Sequence, residues 1–422
     1  MKQLLRVAVL VDLSRSPTAG GHVKCWERIA AAAVGADLPL ALTVYFSGDG
    51  QTEVLGAHTF LAHLPPLFST RKLAFLPYVP DHTDLAPYHP RLAAELADYD
   101  LIHTTDAFFA FARTAEAVAR RRGVPLVTSF HTDAPSYTRI FTRQSIEQRL
   151  RSGWARRRLI DVWQAPERQG RRMDRRLVRH LLRCDRALAA READRSLSEA
   201  ILGASRVSSL RLGVDKQMFS PALADRAALE AKLGIAPDQI LILFVGRLDV
   251  GKNIHTLIEA VAHLRTEGLP LHLITAGIGP AAQEVRQRLG TAATVVGFVP
   301  PAALGSFYAS VDVTAMPSEV EIHGMVELEA LASGCPVLVS AASGVASLFE
   351  GVAGLREVEG GVEGWIADLR RICQDDEGRA EMRAAAAGYR PRLASWEDVV
   401  TEDLFVPWKS AFEASARRQL AA

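Results

Sequence analysis

The sequence predicts an α/β protein of two domains, each built on a doubly wound parallel sheet. Continuous apolar runs such as Val7–Val11 and Ile240–Val245 are typical of central parallel strands that are covered on both faces. Each run leads into a glycine-containing loop and then into a helical pattern, and this β-loop-α alternation recurs along both halves of the chain. The length of 422 residues independently favours two domains, or three.

Composition and charge argue against several functional classes. Lys and Arg number 49 and Asp and Glu 48, so with a net charge of +1 no overall attraction to nucleic acid is expected. No apolar run reaches the ~18 residues that a membrane-spanning helix needs. The four cysteines are scattered, without the spacing of a metal site or of a disulfide framework. A cytoplasmic location is therefore expected.

One segment of the second half, Ala315–Pro336, has the pattern of an anion-binding helix start. A Pro-Ser turn is followed by Gly324 and then by a helical run that ends at a Gly-Cys-Pro stop signal. Gly324 removes side-chain bulk where the chain enters the helix. The N–H groups of Gly324, Met325 and Val326 would then bind an anionic group, typically a phosphate.

Two carboxylates flank this helix start. Glu321 precedes the helix, and Glu329 lies one turn beyond Met325 on the same face, with its side chain inclined toward the N-terminus. Carboxylates beside a phosphate are unfavourable unless they face neutral hydroxyls of the same ligand. A nucleotide sugar supplies both groups, because its diphosphate lies between a ribose and a hexose.

The pair Glu321 and Glu329 lies in the frame P-S…E-x-x-G…L-E-A-x-A-x-G-x-P, which resembles the E-x7-E signature of the retaining GT-B glycosyltransferases of family 4, group 1. This resemblance implies two Rossmann-like domains facing a cleft and a nucleotide-sugar donor held mainly by the second domain. It further implies transfer of a hexose to a hydroxyl acceptor with retention of configuration, without a metal or a cofactor. Glu321 would contact hexose hydroxyls and Glu329 the ribose. His323 replaces the aromatic residue of most members, so the sugar is left open.

A second motif supplies cations for the same ligand. The strand Ile240–Val245 leads to Gly246, Arg247 and, five residues later, Lys252, on a loop that enters a helix. Arginine suits forked phosphate contacts and lysine a point charge, so the loop predicts an anion site, with two unrelated surface cations as the alternative. The spacing resembles the family's G-R-x4-K pattern, which assigns both cations to the donor diphosphate. The same resemblance places the backbone around Phe298 beside the donor base.

The first half contributes a histidine and a pair of glycines. Leu126–Phe130 predicts a strand that delivers His131 at its carboxyl end, where open α/β sheets bind ligands. A lone histidine is more often structural, but the resemblance implies that His131 lies near the transferred sugar. Gly20 and Gly21 occupy the first strand-helix loop, and by themselves they indicate only a turn. In the family such a pair approaches the donor diphosphate and the acceptor.

The sequence Arg211–Pro221 resembles the connector between the two domains of this family. We therefore predict an N-terminal acceptor-side domain over 1–208, a linker over 209–222 and a C-terminal nucleotide-sugar-binding domain over 223–395. The final helix, 396–422, carries apolar residues at every fourth position and is predicted to pack back on the first domain.

The stretch Arg139–Arg195 is the compositional outlier, because it combines many arginines with two tryptophans. A basic amphipathic segment of this kind can lie on an anionic membrane surface. The predicted contact residues are Arg151, Trp154, Arg156, Arg157, Arg158 and Trp163. Nucleic acid is the other anionic partner that would fit, but the sequence contains no RNA- or DNA-binding motif beside the segment. The segment could otherwise be a solvated helical face without a partner. Membrane contact would place the protein on the inner face of the cell membrane and would favour a lipid acceptor over a lipid-linked saccharide or a soluble molecule.

For a glycosyltransferase the donor would be a UDP- or GDP-sugar. Three other functions compete with this interpretation. A nucleotide-sugar epimerase or hydrolase would share the fold and the site. A non-catalytic protein that binds a nucleotide sugar or the membrane is disfavoured, because the full set of two cations and two carboxylates is present. An NAD-dependent oxidoreductase is disfavoured because the stretch Gly277–Pro280 lacks the third glycine of a dinucleotide fingerprint.

Overall fold

The computed structural model describes residues 4–70, 83–150 and 153–421. Its contacts divide the chain into two compact units. Unit 1 comprises Met1–Leu212 and Trp396–Ala422, and unit 2 comprises Gly213–Ser395. The passage from unit 1 to unit 2 falls inside the segment that the sequence predicts as the linker, 209–222.

Unit 1 is built on a mainly parallel sheet. Its described strands are β1 (Leu5–Ser14), β2 (Leu40–Ser47), β3 (Glu53–Gly56), β4 (Thr59–Leu64), β5 (Leu101–Thr104), β6 (Leu126–Ser129), β7 (Arg186–Ala189) and β8 (Val207–Ser209). Their order is β3-β4-β2-β1-β5-β6-β7-β8, and among these strands only β3 runs antiparallel to its neighbour. The central β1 is buried from Val7 to Asp12, as its continuous apolar run predicts.

Helices connect the parallel strands of unit 1. They are α1 (Gly21–Gly35), α2 (Pro90–Glu95), α3 (Ala110–Arg122), α4 (Ala134–Arg149), α5 (Gly153–Arg157), α6 (Ala165–Leu181) and α7 (Glu192–Leu202). A π-helical stretch, Arg158–Val162, continues α5. The helix α3 ends at Gly123, which adopts the left-handed conformation with φ of 70°.

Unit 2 contains a parallel sheet. Its described strands are β9 (Ile240–Val245), β10 (Leu271–Ala276), β11 (Ala293–Gly297), β12 (Val313–Met316), β13 (Val337–Ser340) and β14 (Leu355–Val358). Their order is β11-β10-β9-β12-β13-β14. The order changes direction beside β9, so β9 and β12 are neighbours although β10 and β11 lie between them in the sequence. Ligands of open α/β sheets bind at such a switch point, outside the carboxyl ends of the strands.

The helices of unit 2 are α8 (Arg226–Leu233), α9 (Ile254–Thr266), α10 (Ala282–Leu289), α11 (Pro301–Ser310), α12 (Met325–Ala332), α13 (Gly361–Gln374) and α14 (Asp376–Tyr389). Short 3₁₀ turns in the two units are Leu96–Asp98, Ala204–Arg206, Pro221–Leu223, Val250–Lys252, Gly290–Ala292, Ala341–Ser343, Val345–Leu348 and Arg390–Arg392. None of the helices in the described ranges is both long enough and apolar enough to cross a bilayer.

The C-terminal segment belongs to unit 1, as the predicted fold requires. It consists of α15 (Trp396–Asp398), a π-helical stretch Val399–Phe405 and α16 (Val406–Ala421). The widened turns lie immediately before Pro407, which cannot donate a backbone hydrogen bond. Val400, Leu404 and Trp408 recur at every fourth position and are fully buried.

An ion pair fastens this segment to the end of the first domain. The carboxylate of Asp403 accepts hydrogen bonds from the backbone N–H of Arg211, at 2.7 Å, and from its guanidinium Nη2, also at 2.7 Å. These contacts raise the pKa of Arg211 and tie the last residues before the crossover to the returning helix.

Candidate active site

Two of the sequence motifs meet at the carboxyl edge of the sheet in unit 2. The motif around Arg247 and Lys252 follows β9, and the stretch that contains Glu321 and Gly324 follows β12. These strands pair directly and in parallel, with Val313 opposite Ile242. Since parallel neighbours end at the same edge, the sheet brings together residues that are about seventy positions apart in the sequence.

The loop after β9 is braced by the loop after β10. The backbone N–H of Leu248 donates to the carbonyl of Ile278 at 2.9 Å, and Gly246 donates to the end of β10 at 3.0 Å. Gly277 and Gly279 both have φ of 159°, and a Cβ at Gly277 would lie 1.8 Å from the carbonyl oxygen of Gly246. Glycine is therefore required here for close approach of two backbones. From the sequence alone these glycines indicate only an incomplete dinucleotide fingerprint.

Asp249 organises the two cations of this loop. Its carboxylate is buried and accepts a hydrogen bond from Arg247 Nε at 2.9 Å. The other carboxylate oxygen accepts from the backbone N–H of Lys252 at 3.0 Å and caps the turn Val250–Lys252. Sequence analysis missed Asp249, although an aspartate three positions before the end of a turn is an ordinary capping signal.

The cation of Lys252 contacts the first carboxylate of the E-x7-E pair. Its Nζ lies 2.5 Å from Oε2 of Glu321. The two side chains remain 17% and 19% exposed, so both are accessible from solvent. The structure therefore joins the loops after β9 and β12 through a pair of opposite charges.

The helix α12 begins where the sequence predicts an anion-binding helix start. Gly324 has φ of 64°, and a Cβ at this position would lie 2.5 Å from Cγ2 of Val345. The helix starts at Met325, and no side chain caps its first turn. The position therefore requires glycine, both for its left-handed backbone and for the space that Val345 occupies. The predicted donors Met325 and Val326 form the first turn.

A third carboxylate, Glu327, joins this site and was not predicted. It is only 2% exposed, and within the described part of the chain its Oε2 has no hydrogen-bond partner. Burial and the charge of Glu321 raise the pKa of Glu327 to about 8, whereas Lys252 lowers it and Glu329 raises it. Glu327 thus interacts electrostatically with Glu321, Lys252 and Glu329. Its position three residues after Gly324, in the first turn of the helix, was the available signal.

The second predicted carboxylate is held by a buried tyrosine. Glu329 Oε2 accepts a hydrogen bond from the hydroxyl of Tyr308, on α11, at 3.2 Å. Burial raises the pKa of Tyr308 well above its usual value, so the phenol stays a donor. Phe298, predicted beside the donor base, follows β11 and is 42% exposed.

The predicted residues of unit 1 lie after β1 and β6. Gly20 is extended, with φ of −67°, and Gly21 is the first residue of α1, so the backbone conformation does not itself demand glycine at either position. His131 follows β6 and is 8% exposed. Its Nε2 lies 3.2 Å from Nε1 of Trp26 and 2.9 Å from the hydroxyl of Ser129.

The arginine-rich segment divides into a paired part and an exposed part. Arg139 bridges α4 and α6 by ion pairs with Glu167 at 3.1 Å and Asp174 at 2.6 Å. Arg176 and His180 on α6 both contact the buried carboxylate of Glu116, each at 2.7 Å. These residues of the segment therefore have structural partners within unit 1.

The exposed part surrounds α5 and is called the Trp-Arg patch. Trp154 is 68% exposed and Trp163 is 48% exposed, and the guanidinium of Arg158 lies 5.5 and 5.7 Å from their ring centroids. Arg156 and Arg157 are exposed beside them. Arg151, which was also predicted to contact membrane, lies outside the described residues. Across residues 4–70, 83–150 and 153–421, no group of three His, Cys, Asp or Glu side chains is arranged to hold a metal ion.

Two family models match the chain, one for each half. The model described as Glyco_transf_4, Glycosyltransferase Family 4, matches residues 36–217. The model described as Glycos_transf_1, Glycosyl transferases group 1, matches residues 225–388. The second match contains Arg247, Lys252, Glu321 and Glu329.

Curated relatives include two transferases. The chain is 28% identical over 324 residues to the sulfoquinovosyl transferase SQD2 of Arabidopsis thaliana, which covers 74% of this chain and 58% of the relative. It is 34% identical over 218 residues to a D-inositol 3-phosphate glycosyltransferase of Corynebacterium urealyticum, which covers 47% of this chain and 50% of the relative. The chain thus spans about half to three-fifths of the length of these relatives.

Solved structures share the fold along nearly the whole chain. Sucrose-phosphate synthase from Thermosynechococcus elongatus superposes with a TM-score of 0.71 at 18% identity, over 97% of this chain and 100% of the other. Anabaena HepE in complex with UDP-glucose superposes with a TM-score of 0.65 at 18% identity, over 96% of this chain and 100% of the other. The fold is therefore GT-B. Since both halves also match models of the same enzyme class, the chain is a member of the group 1, family 4 glycosyltransferases.

Proposed function

We propose that the protein transfers a hexose from a nucleoside-diphosphate sugar to a hydroxyl acceptor, with retention of anomeric configuration and without a metal ion. The observation that carries this proposal is the contact between Lys252 and Glu321, next to the glycine that opens α12. A cation, a carboxylate and a helix start at one sheet edge suit a ligand that has both phosphate and hydroxyl groups. Anabaena HepE, which shares the fold, was solved with UDP-glucose, and this supports a UDP-sugar as the donor.

The cationic groups would stabilise the leaving nucleotide. Negative charge develops on the diphosphate as the bond to the sugar breaks, and Arg247, Lys252 and the N–H groups at the start of α12 would bind that charge. Asp249 holds the side chain of Arg247 and the backbone of Lys252 in place before the reaction. Such preorganised electrostatic stabilisation is usually the largest catalytic contribution.

The carboxylates would bind the sugars on either side of the diphosphate. In the proposed complex Glu321 exchanges Lys252 for hexose hydroxyls, and Glu329, oriented by Tyr308, accepts from the ribose hydroxyls. Glu327 has a pKa of about 8 and is mainly neutral at pH 7, so it adds little repulsion against the diphosphate. His131 of unit 1 would contact the transferred sugar, and the leaving phosphate would help to remove the acceptor proton.

A donor screen followed by turnover assays tests the proposal. Thermal shifts with UDP-, GDP- and ADP-sugars identify the donor, and transfer is then measured with candidate hydroxyl acceptors. We expect Lys252→Ala and Glu321→Ala each to lower turnover by about 10²–10³-fold, as removal of one charge-stabilising group does. The matched control is Lys409→Ala, whose side chain is 62% exposed. Circular dichroism verifies that each variant is folded.

The outcomes separate the competing functions. Full turnover by both site variants would remove the site from the reaction. Isomerised or hydrolysed sugar formed from the donor alone would identify an epimerase or a hydrolase. A thermal shift without any product, with lipid and soluble acceptors alike, would identify a binding protein.

We also propose that the Trp-Arg patch lies on an anionic membrane and gives access to a lipid acceptor. The exposed indoles of Trp154 and Trp163 suit the interfacial region, and the neighbouring arginines suit anionic headgroups. Each basic residue near such a surface contributes about 1 kcal/mol. Two arginines therefore account for about 30-fold in partitioning.

Sedimentation with phosphatidylglycerol-containing vesicles measures this contact. The double variant Arg156→Ala/Arg157→Ala should bind about 30-fold more weakly at low salt. Arg120→Ala/Arg121→Ala, which removes two exposed arginines from α3, should bind like the wild type. Equal binding to neutral and anionic vesicles would contradict the proposal.

A further inference from the structure

Two indole N–H groups in unit 1 point at imidazole nitrogens. Trp26 Nε1 lies 3.2 Å from Nε2 of His131, and Trp408 Nε1 lies 3.1 Å from Nδ1 of His103. An indole nitrogen can only donate a hydrogen bond. His131 Nε2 and His103 Nδ1 must therefore both be acceptors that carry no proton.

This constraint determines where the protons of the two histidines reside. A neutral His103 that accepts at Nδ1 has its proton on Nε2, which lies 2.9 Å from the hydroxyl of Ser129. Ser129 accepts the hydrogen bond from His103 Nε2–H, and its own hydroxyl lies 2.9 Å from His131 Nε2, where it shares the single lone pair of that nitrogen with the indole N–H of Trp26. A neutral His131 that accepts at Nε2 has its proton on Nδ1.

Burial strengthens the constraint. Trp26, His103 and Trp408 are fully buried and Ser129 is 3% exposed. Burial lowers the pKa of His103 to about 3, so this ring is neutral at any physiological pH. Protonation of His131 at Nε2 would set an N–H against the indole N–H of Trp26, which is fully buried and has no acceptor role.

A second histidine stacks on His131. The ring of His22 lies parallel to it, with centroids 4.5 Å apart and an interplanar angle of 6°. His22 Nε2 lies 2.8 Å from the hydroxyl of Thr105, which donates its own proton to the carbonyl of Leu10. His22 therefore donates from Nε2. His22 on α1 stacks against His131, His103 on β5 contacts it through Ser129, and Asp133 lies two residues beyond it on the same loop.

We propose that Trp26, and Trp408 acting through His103 and Ser129, are positioning residues that hold His131 neutral with its proton on Nδ1. In this state His131 serves as a hydrogen-bond donor to a sugar oxygen and not as a general base at Nε2. The inference rests on the proposed function in one respect, the contact between His131 and the sugar. The C-terminal segment thus contributes to the positioning of His131 through Trp408.

The state of the imidazoles can be measured without substrate. Long-range ¹H–¹⁵N spectra of the full ¹⁵N-labelled protein report which nitrogen of each histidine carries the proton. We expect a neutral Nδ1–H form of His131 and a neutral Nε2–H form of His103 throughout the range from about pH 5.5 to 8. Trp26→Phe keeps an aromatic ring and removes only the donor, so the proton of His131 should become distributed between Nδ1 and Nε2. Trp408→Phe should give mixed tautomers of His103.

Trp396→Phe is the matched control. Trp396 is also buried on the C-terminal segment, but its indole N–H has no hydrogen-bond partner within the described residues. Its replacement should leave both histidines unchanged. Turnover by Trp26→Phe should fall about two- to tenfold in kcat, as expected for one net hydrogen bond, with little change in the KM for the donor.

Three results would overturn the proposal. The first is an Nε2–H or an ordinarily titrating His131 in the wild type, and the second is an unchanged His131 in Trp26→Phe. The third is full turnover by His131→Ala, which would remove His131 from the reaction and with it the positioning role. Failure of the donor site itself shows instead in Lys252→Ala and Glu321→Ala, so the two failures are distinguishable.

Discussion

Replacement of Glu327 by glutamine should change how protein stability depends on pH. Burial and the charge of Glu321 raise the pKa of Glu327 to about 8, whereas a glutamate in an unfolded chain titrates near ~4.3. Between these values the folded wild type holds a proton that the unfolded chain has lost. The wild type therefore loses stability as the pH rises, by about 1.4 kcal/mol per pH unit, and the non-titrating glutamine does not.

Calorimetric unfolding of the variant and the wild type measures this difference. From about pH 5 to 8 the variant should gain relative to the wild type, and above pH 8 the difference should level off. For a unit of roughly 180 residues the slope corresponds to about 3–6 °C in Tm per pH unit. Glu381→Gln, an exposed change on α14 of the same unit, should follow the wild type at every pH.

Identical pH slopes for Glu327→Gln and the wild type would refute the reasoning, because they would mean that Glu327 is ionised in the folded protein. Infrared spectroscopy gives an independent reading, since the protonated carboxyl band of the wild type at pH 7 should be missing from Glu327→Gln. Glu321→Gln removes the second-largest cause of the shift. It should therefore move the end of the sloping region to a lower pH.

Two further substitutions test the scaffold around the sites. Gly277→Ala places a methyl group against the carbonyl oxygen of Gly246 and should weaken donor binding at least tenfold. The control Gly268→Ala, also at positive φ but in open space, should lower stability and leave donor binding unchanged. Isothermal titration with the donor measures binding by both variants. Glu116→Ala should lower the free energy of unfolding by about 3–5 kcal/mol, because it leaves His180 and two arginines without their buried acceptor. Burial alone would raise the pKa of Glu116, but His180 and the two arginines lower it below its usual value. The stabilisation of the wild type by this carboxylate should therefore be lost as the pH falls through the lowered pKa. Urea unfolding at a series of pH values measures this loss.

The strands and the family were predictable because local patterns encode them. Ile240–Val245 coincides with β9, and Leu126–Phe130 exceeds β6 by one residue. For Ile240–Val245, a continuous apolar run bounded by a polar residue and a glycine is sufficient for such a prediction. The E-x7-E spacing was equally readable, because a helix places Glu329 and its own start on one face.

Contacts that depend on strand order were beyond the sequence alone. That Lys252 meets Glu321 follows from the pairing of β9 with β12, and two strands intervene between them along the chain. The burial of Glu327 in the first turn of α12 is also a tertiary feature that its local sequence does not encode. The chain from Trp408 to His131 likewise joins parts of unit 1 that are far apart in sequence, and each of its residues looks unremarkable alone.

Lys252 and Glu321 form an ion pair at 2.5 Å. A ligand that separates them must therefore supply a hydrogen-bond acceptor to the ammonium and a hydrogen-bond donor to the carboxylate. An intact nucleotide sugar would do so, with phosphate oxygens for the ammonium and hydroxyls for the carboxylate. The spent nucleotide could satisfy only the ammonium and would leave the carboxylate facing a phosphate. Closure of the ion pair would then compete with the product for Lys252, and this internal competition would favour loading of fresh donor over retention of the by-product.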